Sequence, residues 1–310
     1  MKTVLVTGGA GFIGSHICDR LIRTGYQVRC IDNLSNGSID NIEHLILNKN
    51  FQLIIEDINS LTLSHFEGVD LVCHQAAIGS VPRSIVQPEL YQHSNVNGFF
   101  HVLNLARLSQ IKRVVYASSS SVYGSDVTLP KIEHSTGQGL SPYAISKQIN
   151  EMQAKNFSLI YEIETVGLRY FNVFGPRQKS DGDYAAVIPK FINYCLNGLV
   201  PTINGDGSYA RDFTYIDNIV LANILALESK LTSTCNVLNI GAGQKTSINE
   251  LYSAISKKLN FNVSAIYGPE RKGDIPYSFA DVRLAKEVLG YIPIINVDSG
   301  LNNTIDYFKK

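Results

Sequence analysis

Hydrophobic and polar positions in the first half of the chain alternate between two periods. Short, β-branched apolar runs occupy 2–7, 27–32, 51–56, 69–75, 111–118 and 164–170. Between them, helical spacing of apolar residues marks 12–24, 39–48, 88–109 and 142–161; in 12–24 it places Ile13, Ile17 and Leu21 on one face. Nearly continuous apolar strands separated by amphipathic helices predict an α/β fold: a doubly wound parallel sheet covered on both faces. Ligands of such a sheet bind at the carboxyl ends of its strands. Asp32, Asp57-Ile58, Ala76-Ala77, Ser118–Ser121 and Tyr170-Phe171 stand at those ends. Beyond about 171, Gly175-Pro176, Asp181-Gly182-Asp183, Asn204-Gly205-Asp206-Gly207 and Gly268-Pro269 punctuate shorter elements. The expected organisation is a first domain over 1–171 and a smaller C-terminal α/β domain over 172–310, with part of 212–240 returning to the first sheet.

The turn after the first strand carries specific chemistry. It reads Gly8-Gly9-Ala10-Gly11-Phe12-Ile13-Gly14 and opens the first helix. Gly8 and Gly11 allow a tight turn and close backbone approach to a pyrophosphate, and Gly14 allows close helix–strand packing. The pyrophosphate would sit on the helix N-terminus, where free N–H groups favour an anion. The second strand ends at Asp32, 21 residues past Gly11. A carboxylate there binds an adenosine ribose diol and repels a 2′-phosphate, so the pattern predicts a Rossmann-type site for NAD rather than NADP.

Composition narrows the class. Lys+Arg and Asp+Glu number 27 each, so no global charge points to nucleic acid or a membrane surface. No apolar run reaches the ~20 residues of a membrane span. The five cysteines (Cys18, Cys30, Cys73, Cys195, Cys235) are scattered in mostly apolar runs, as buried thiols of a reducing, cytoplasmic compartment would be. The histidines show no metal-ligand spacing, so no metal is expected.

The second chemical signal is Ser141-Pro142-Tyr143-Ala144-Ile145-Ser146-Lys147. Ser141 suits a helix cap and Pro142 the first helical position, which sets Tyr143 and Lys147 one turn apart on one face. A cation beside a phenol favours the phenolate, a usable base. The same spacing also describes an ordinary solvated helix face. Arg211 beside Asp212 reads equally as a turn ion pair, and Asp217 before an apolar run reads as a helix N-cap rather than a catalytic acid.

Taken together, these motifs resemble the extended short-chain dehydrogenase/reductases, and within them the UDP-hexose 4-epimerases, above all the bacterial subgroup that interconverts UDP-N-acetylglucosamine and UDP-N-acetylgalactosamine. The likeness runs through Thr7–Gly14, Asp32-Asn33-Leu34, His74–Ser84, Ser118–Ser121 with Val122-Tyr123-Gly124, Tyr143, Lys147, Leu168–Gly175, Arg211-Asp212-Phe213 and Arg271-Lys272-Gly273-Asp274. It implies that Gly8, Gly11, Phe12, Ile13, Asp32, Asn33, Asp57, Ile58, Ala76, Ala77, Asn95, Tyr170 and Phe171 hold NAD, together with Tyr143 and Lys147. It implies that Tyr143 is the catalytic base, that Lys147 binds the ribose and depresses the phenol's pKa, and that Ser119 binds the reacting sugar oxygen. Gly79, Ser80, Ser120, Ser121, Asn172, Ala186, Val187, Arg211, Arg271, Asp274 and Ser278 would surround the UDP-sugar, with small residues at Gly79, Ser80, Ala186 and Ser278 leaving room for an acetamido group. The resemblance also implies a homodimer formed through the 142–161 helix, which carries a second apolar face at Ile145, Ile149, Met152 and Ile160.

Rival activities on this fold leave marks in the sequence. A sugar-nucleotide dehydratase needs acid/base carboxylates after the catalytic hydroxyl, where this chain has Ser120 and Ser121. The related decarboxylases carry a glutamate where Ser121 stands. Glucuronate 4-epimerisation stays open, although it calls for an extra cation. A non-catalytic NAD-binding regulator on this fold would commonly lack the Tyr or the Lys.

Overall fold

The computed structural model describes residues 1–180, 185–270 and 276–310. The first half runs β1 (Thr3–Thr7), α1 (Phe12–Arg23), β2 (Gln27–Asp32), β3 (Phe51–Ile55), β4 (Leu71–His74), α2 (Val81–Val86), α3 (Pro88–Tyr91), α4 (Gly98–Leu108), β5 (Arg113–Ser119), α5 (Pro142–Tyr161) and β6 (Glu164–Tyr170). There follow β7 (Val173–Phe174), α6 (Val187–Leu196), β8 (Thr202–Asn204), β9 (Ala210–Arg211), β10 (Thr214–Tyr215), α7 (Ile216–Glu228), β11 (Cys235–Ile240), β12 (Thr246–Ser247), α8 (Ile248–Lys258), β13 (Ile266–Gly268), β14 (Tyr277–Ser278), α9 (Arg283–Leu289) and α10 (Val297–Phe308).

Among the described residues, seven strands form one parallel sheet in the order β11-β6-β5-β4-β1-β2-β3. Both faces are buried, as the continuous apolar strands require. Val4 and Val6 join a core with Ile17, Leu21, Ile219 and Val220, while Leu5 between them joins Phe99, Val102 and Phe157 on the other face. All six strands expected from the sequence form within two residues of their predicted ends. The seventh, β11, arrives from beyond residue 171 and pairs with β6 from Cys235↔Thr165 to Ile240↔Tyr170. Helix α7 is tied to β5: Arg113 Nη1 donates to the carbonyls of Ala226, Leu227 and Ser229 at 2.8–3.1 Å.

Two predicted helices form differently. The 39–48 segment makes only two short 3₁₀ turns, Ile39–Asn41 and Glu43–Leu45. Its Asn41 side chain donates to the Ala10 carbonyl at 2.8 Å, a tertiary bond that pins the segment to the glycine turn. The 88–109 stretch is α3 and α4 joined by a π-turn at Gln92–Asn97. That turn carries Asn95, whose side chain bridges Ile78 and Ser146. Asp217 lies inside the first turn of α7 and is not its N-cap, which is Tyr215. No helix of the described residues is long and apolar enough to cross a membrane.

Candidate active site

A cavity of about 800 Å³ is lined by residues from the carboxyl ends of β1, β2, β4, β5 and β6, where the strand order reverses on either side of β1. Its first wall is the glycine turn. Gly8 has φ +68°, and a Cβ there would lie 2.6 Å from the Ala76 nitrogen. A Cβ on Gly14 would collide with the Gly8 carbonyl oxygen, so the turn closes only without side chains at either position. Helix α1 starts at Phe12 with no side-chain cap from Gly11, leaving its first-turn amides available to an anion.

Asp32 is buried at the end of β2. Its carboxylate accepts from the Ala10 nitrogen at 2.9 Å and the Leu34 nitrogen at 2.8 Å. Burial raises its pKa against the pull of those amides. Asn33 Nδ2 donates to Asp57 at 2.7 Å. Gly8, Gly11, Phe12, Ile13, Asp32, Asn33, Asp57, Ile58, Ala76, Ala77 and Tyr170 all line the cavity. An open helix end, a turn with room for hydrogen alone and a buried carboxylate at the second strand fit NAD. Three expected cofactor residues, Asn95, Phe171 and Lys147, do not line the cavity. Asn95 is buried in its bridge to Ile78, and Phe171 packs with Val122, Tyr123 and Ala280.

Helix α5 forms over the predicted residues, and Ser141 Oγ caps it by accepting from the Ala144 nitrogen at 3.1 Å. This places Tyr143 in the cavity wall, where its phenol is hydrogen-bonded to Ser119. The Ser121 nitrogen and hydroxyl both donate to Ser119 Oγ, at 3.2 and 2.9 Å. The expected depression of the phenol's pKa is absent in this arrangement: burial raises it, against the Ser119 hydrogen bond. Lys147 accounts for the difference. Its Nζ donates to the Ala117 carbonyl at 2.8 Å, and it does not line the cavity. Burial pushes the Lys147 ammonium down to about 8, while Glu151, one turn further along α5, opposes that shift. Glu151 is itself clamped by Arg169, through two bonds of 2.8 Å, and by Ser118 at 2.6 Å.

Gly79, Ser80, Ser119, Ser120, Ser121, Asn172, Ala186, Arg211 and Ser278 line the same cavity as Tyr143. Val187, which begins α6, does not, and Arg271 and Asp274 lie outside the described residues. Arg211 and Ser278 sit opposite each other in the β9–β14 pairing. Arg211 Nη1 donates to the Ala210 and Pro276 carbonyls at 3.0 and 3.1 Å, and Asp212 turns instead to backbone amides, so the pair is no turn ion pair. Sequence reasoning gave no role to Gln75, Arg83, Arg177 or Lys179, which also line the cavity. Gln75 and Arg83 stand within the His74–Ser84 motif already singled out, whereas Arg177 and Lys179 fall just past the Leu168–Gly175 motif, where no sequence signal marked them. Charge is segregated across the walls, with Asp32, Glu56 and Asp57 beyond β2 and β3, and Arg83, Arg177, Lys179 and Arg211 on later segments.

Residues 4–241 match the NAD dependent epimerase/dehydratase family. The chain belongs to that family of enzymes, and NAD is its cofactor. It is 38% identical to a putative UDP-glucose 4-epimerase of Methanocaldococcus jannaschii, over 99% of this chain and 98% of the relative. Among solved structures it resembles a UDP-N-acetylglucosamine 4-epimerase from Methanobrevibacter ruminantium in complex with UDP-N-acetylmuramic acid, at TM-score 0.95 and 40% identity over 99% and 98% of the two chains. It also resembles a UDP-glucuronic acid 4-epimerase from Bacillus cereus in complex with UDP-glucuronic acid and NAD, at TM-score 0.92 and 33% identity over 99% of each.

Proposed function

We propose that this enzyme epimerises UDP-hexoses at C4, with UDP-N-acetylglucosamine and UDP-N-acetylgalactosamine as its principal pair and UDP-glucose and UDP-galactose as smaller substrates. The observation that carries the reading is the convergence of Tyr143, Ser119, Arg211 and Ser278 on one cavity with the glycine turn. Bound NAD supplies a reversible hydride acceptor at the sugar C4. Tyr143 takes the proton of the 4-hydroxyl and later returns it, and Ser119 holds the oxygen as it becomes a ketone. Arg211 anchors the diphosphate while the keto sugar turns its other face, since a guanidinium fork suits that group. Ser278, Gly79, Ser80 and Ala186 leave room for the C2 acetamido group. In this reading 1–171 with the α7–β11 return holds the cofactor, the remainder of 172–310 holds UDP-sugar, and two chains pair through α5, where Met152 and Ile160 are 69% and 56% exposed.

The test uses purified enzyme with no added nucleotide. Each UDP-sugar is supplied singly and its product identified by chromatography. Interconversion of the N-acetyl pair supports the reading, and none with any UDP-hexose overturns it. One observation favours a second reading: Lys179 in the cavity wall is a cation of the kind a glucuronate carboxylate needs. Conversion of UDP-glucuronate in place of the N-acetyl pair would select it.

A further inference from the structure

Asp212 is a fully buried carboxylate that touches none of the cavity. Its two oxygens collect four donors from three separate segments. Oδ1 accepts from the Ala242 nitrogen at 2.8 Å and the Thr214 hydroxyl at 3.3 Å, and Oδ2 from the Gly243 nitrogen at 3.0 Å and the Ala280 nitrogen at 3.1 Å. Its own nitrogen donates to the Ser278 carbonyl at 2.9 Å. Ala242 and Gly243 lie just past the end of β11, the edge strand of the seven-stranded sheet, whereas Ala280 follows β14 and Asp212 follows β9. A buried carboxylate is costly unless its lone pairs are filled, and here backbone amides fill them. Gly241 is shaped to admit it: a Cβ there would lie 2.6 Å from Oδ2.

We infer that Asp212 is the positioning residue that fastens the Arg211 and Ser278 wall of the cavity to the edge of the cofactor-binding sheet, and so sets the affinity for the sugar nucleotide. The inference rests on the proposed UDP-sugar reading of that wall. Both flanking side chains reach the cavity from a two-residue strand apiece, and β9 and β14 are too short to hold a register by their own pairing. β9 also pairs with β12, and Lys131 holds Phe279 and Asp281 through its backbone; to these Asp212 adds a tie from this wall to the end of β11. It is distinct from the hydride and proton machinery on α5 and β5, so its loss should separate binding from chemistry.

The experiment compares wild type with Asp212→Asn, which sets an amide donor against backbone N–H groups, and with Gly241→Ala, which displaces the same carboxylate without altering it. UDP binding is measured by calorimetry, KM and kcat with the UDP-sugar, and NAD content after denaturation. Both variants should weaken UDP binding and raise KM about tenfold or more, the loss expected for a charge-assisted hydrogen bond, with kcat within about threefold and NAD content unchanged. If both variants melt earlier yet keep wild-type UDP affinity and KM, the role is structural only and the inference falls. If kcat and NAD content fall along with affinity, Asp212 acts on the whole fold and the inference falls again. Wild-type protein that carries NAD but binds no UDP would overturn the reading beneath it.

Discussion

The Lys147 ammonium reaches the Ala117 carbonyl at 2.8 Å, two residues before Ser119 on the same strand. This bond ties α5 to β5 at the point where Tyr143 on the helix meets Ser119 on the strand. Tyr143→Phe removes one hydroxyl and its bond to Ser119 but leaves the Lys147 tether in place, so kcat should fall by about 10²–10⁴ while far-UV spectra and NAD content stay at wild type. If the Lys147 ammonium serves the cofactor ribose in the loaded enzyme, as the family resemblance implies, Lys147→Met should lose as much activity and also release NAD. Measuring activity and extracted nucleotide on both variants separates the roles. Equal NAD loss in the two would argue that Tyr143 matters for packing rather than proton transfer.

Asp32 holds the Ala10 nitrogen of the glycine turn and the Leu34 nitrogen as well as facing the cavity. Asp32→Ala should therefore do more than expose a ribose diol: it leaves two backbone donors unmet and loosens the turn. The expected result is protein purified with little NAD and a Kd for added NAD raised about tenfold or more. Asp32→Asn, which keeps one acceptor oxygen, should fall between the two. Full NAD content in the alanine variant would overturn this account.

The sheet was legible because a strand buried on both faces announces itself by composition alone, and the α5 helix because Ser141-Pro142 marks its start. What stayed hidden depends on tertiary bonds. The Asn41 side chain breaks 39–48 by reaching for Ala10, and a π-turn inserts Asn95 under Ile78 where helical periodicity sees only continuity. At the site, the types and order of Tyr143, Lys147 and Ser119 could be read from the chain. The direction of the Lys147 side chain could not, since it is set by a carbonyl thirty positions away. Asp212 could be read as half of a turn ion pair with Arg211 because adjacency in sequence says nothing of three strand ends meeting around it.

Acid should loosen the cofactor end of the fold. His16 on α1 has its pKa lowered to about 4 and His74 at the end of β4 to about 3, in both cases chiefly by burial. An imidazole held neutral in the fold and free to protonate when unfolded binds more protons in the unfolded state. Its contribution to stability is present in full above the unfolded pKa of about 6.5 and is lost as pH falls from there toward the folded value. For His16 the loss between pH 7.5 and 5 should be about 2 kcal/mol. Urea midpoints of wild type should drop over that range, and those of His16→Gln should drop by visibly less. Parallel curves for the two proteins would show that His16 is not a source of the acid sensitivity.

Helix α5 leaves Ile145, Met152 and Ile160 exposed on one side while Tyr143 faces the cavity. If two chains pair there, Met152→Glu places like charges across the pairing axis and should give a monomer by light scattering, whereas wild type runs as a dimer. Because the same helix carries Tyr143, the proposed base, the monomer should also lose activity in part. A wild-type monomer at micromolar concentration would remove the dimer from the proposal and leave the cavity untouched.

In the proposed function, substrate size turns on Ser278. It lies across the β9–β14 pairing from Arg211 and lines the cavity with Gly79, Ser80 and Ala186. A serine at this point leaves volume for an acetamido group and offers a hydroxyl to its carbonyl, whereas a tyrosine would fill that volume. Ser278→Tyr should cut kcat/KM for the N-acetyl pair by about 10²-fold or more through steric exclusion and spare UDP-glucose and UDP-galactose within a few fold. The contrast between pairs is the informative quantity, because a misfolded loop would depress both together. Steady-state kinetics on all four UDP-sugars, with NAD content as the control for folding, reads it directly. Equal loss on both pairs, or no loss on either, would remove Ser278 from the specificity pocket and leave the assignment of Tyr143 and Ser119 standing.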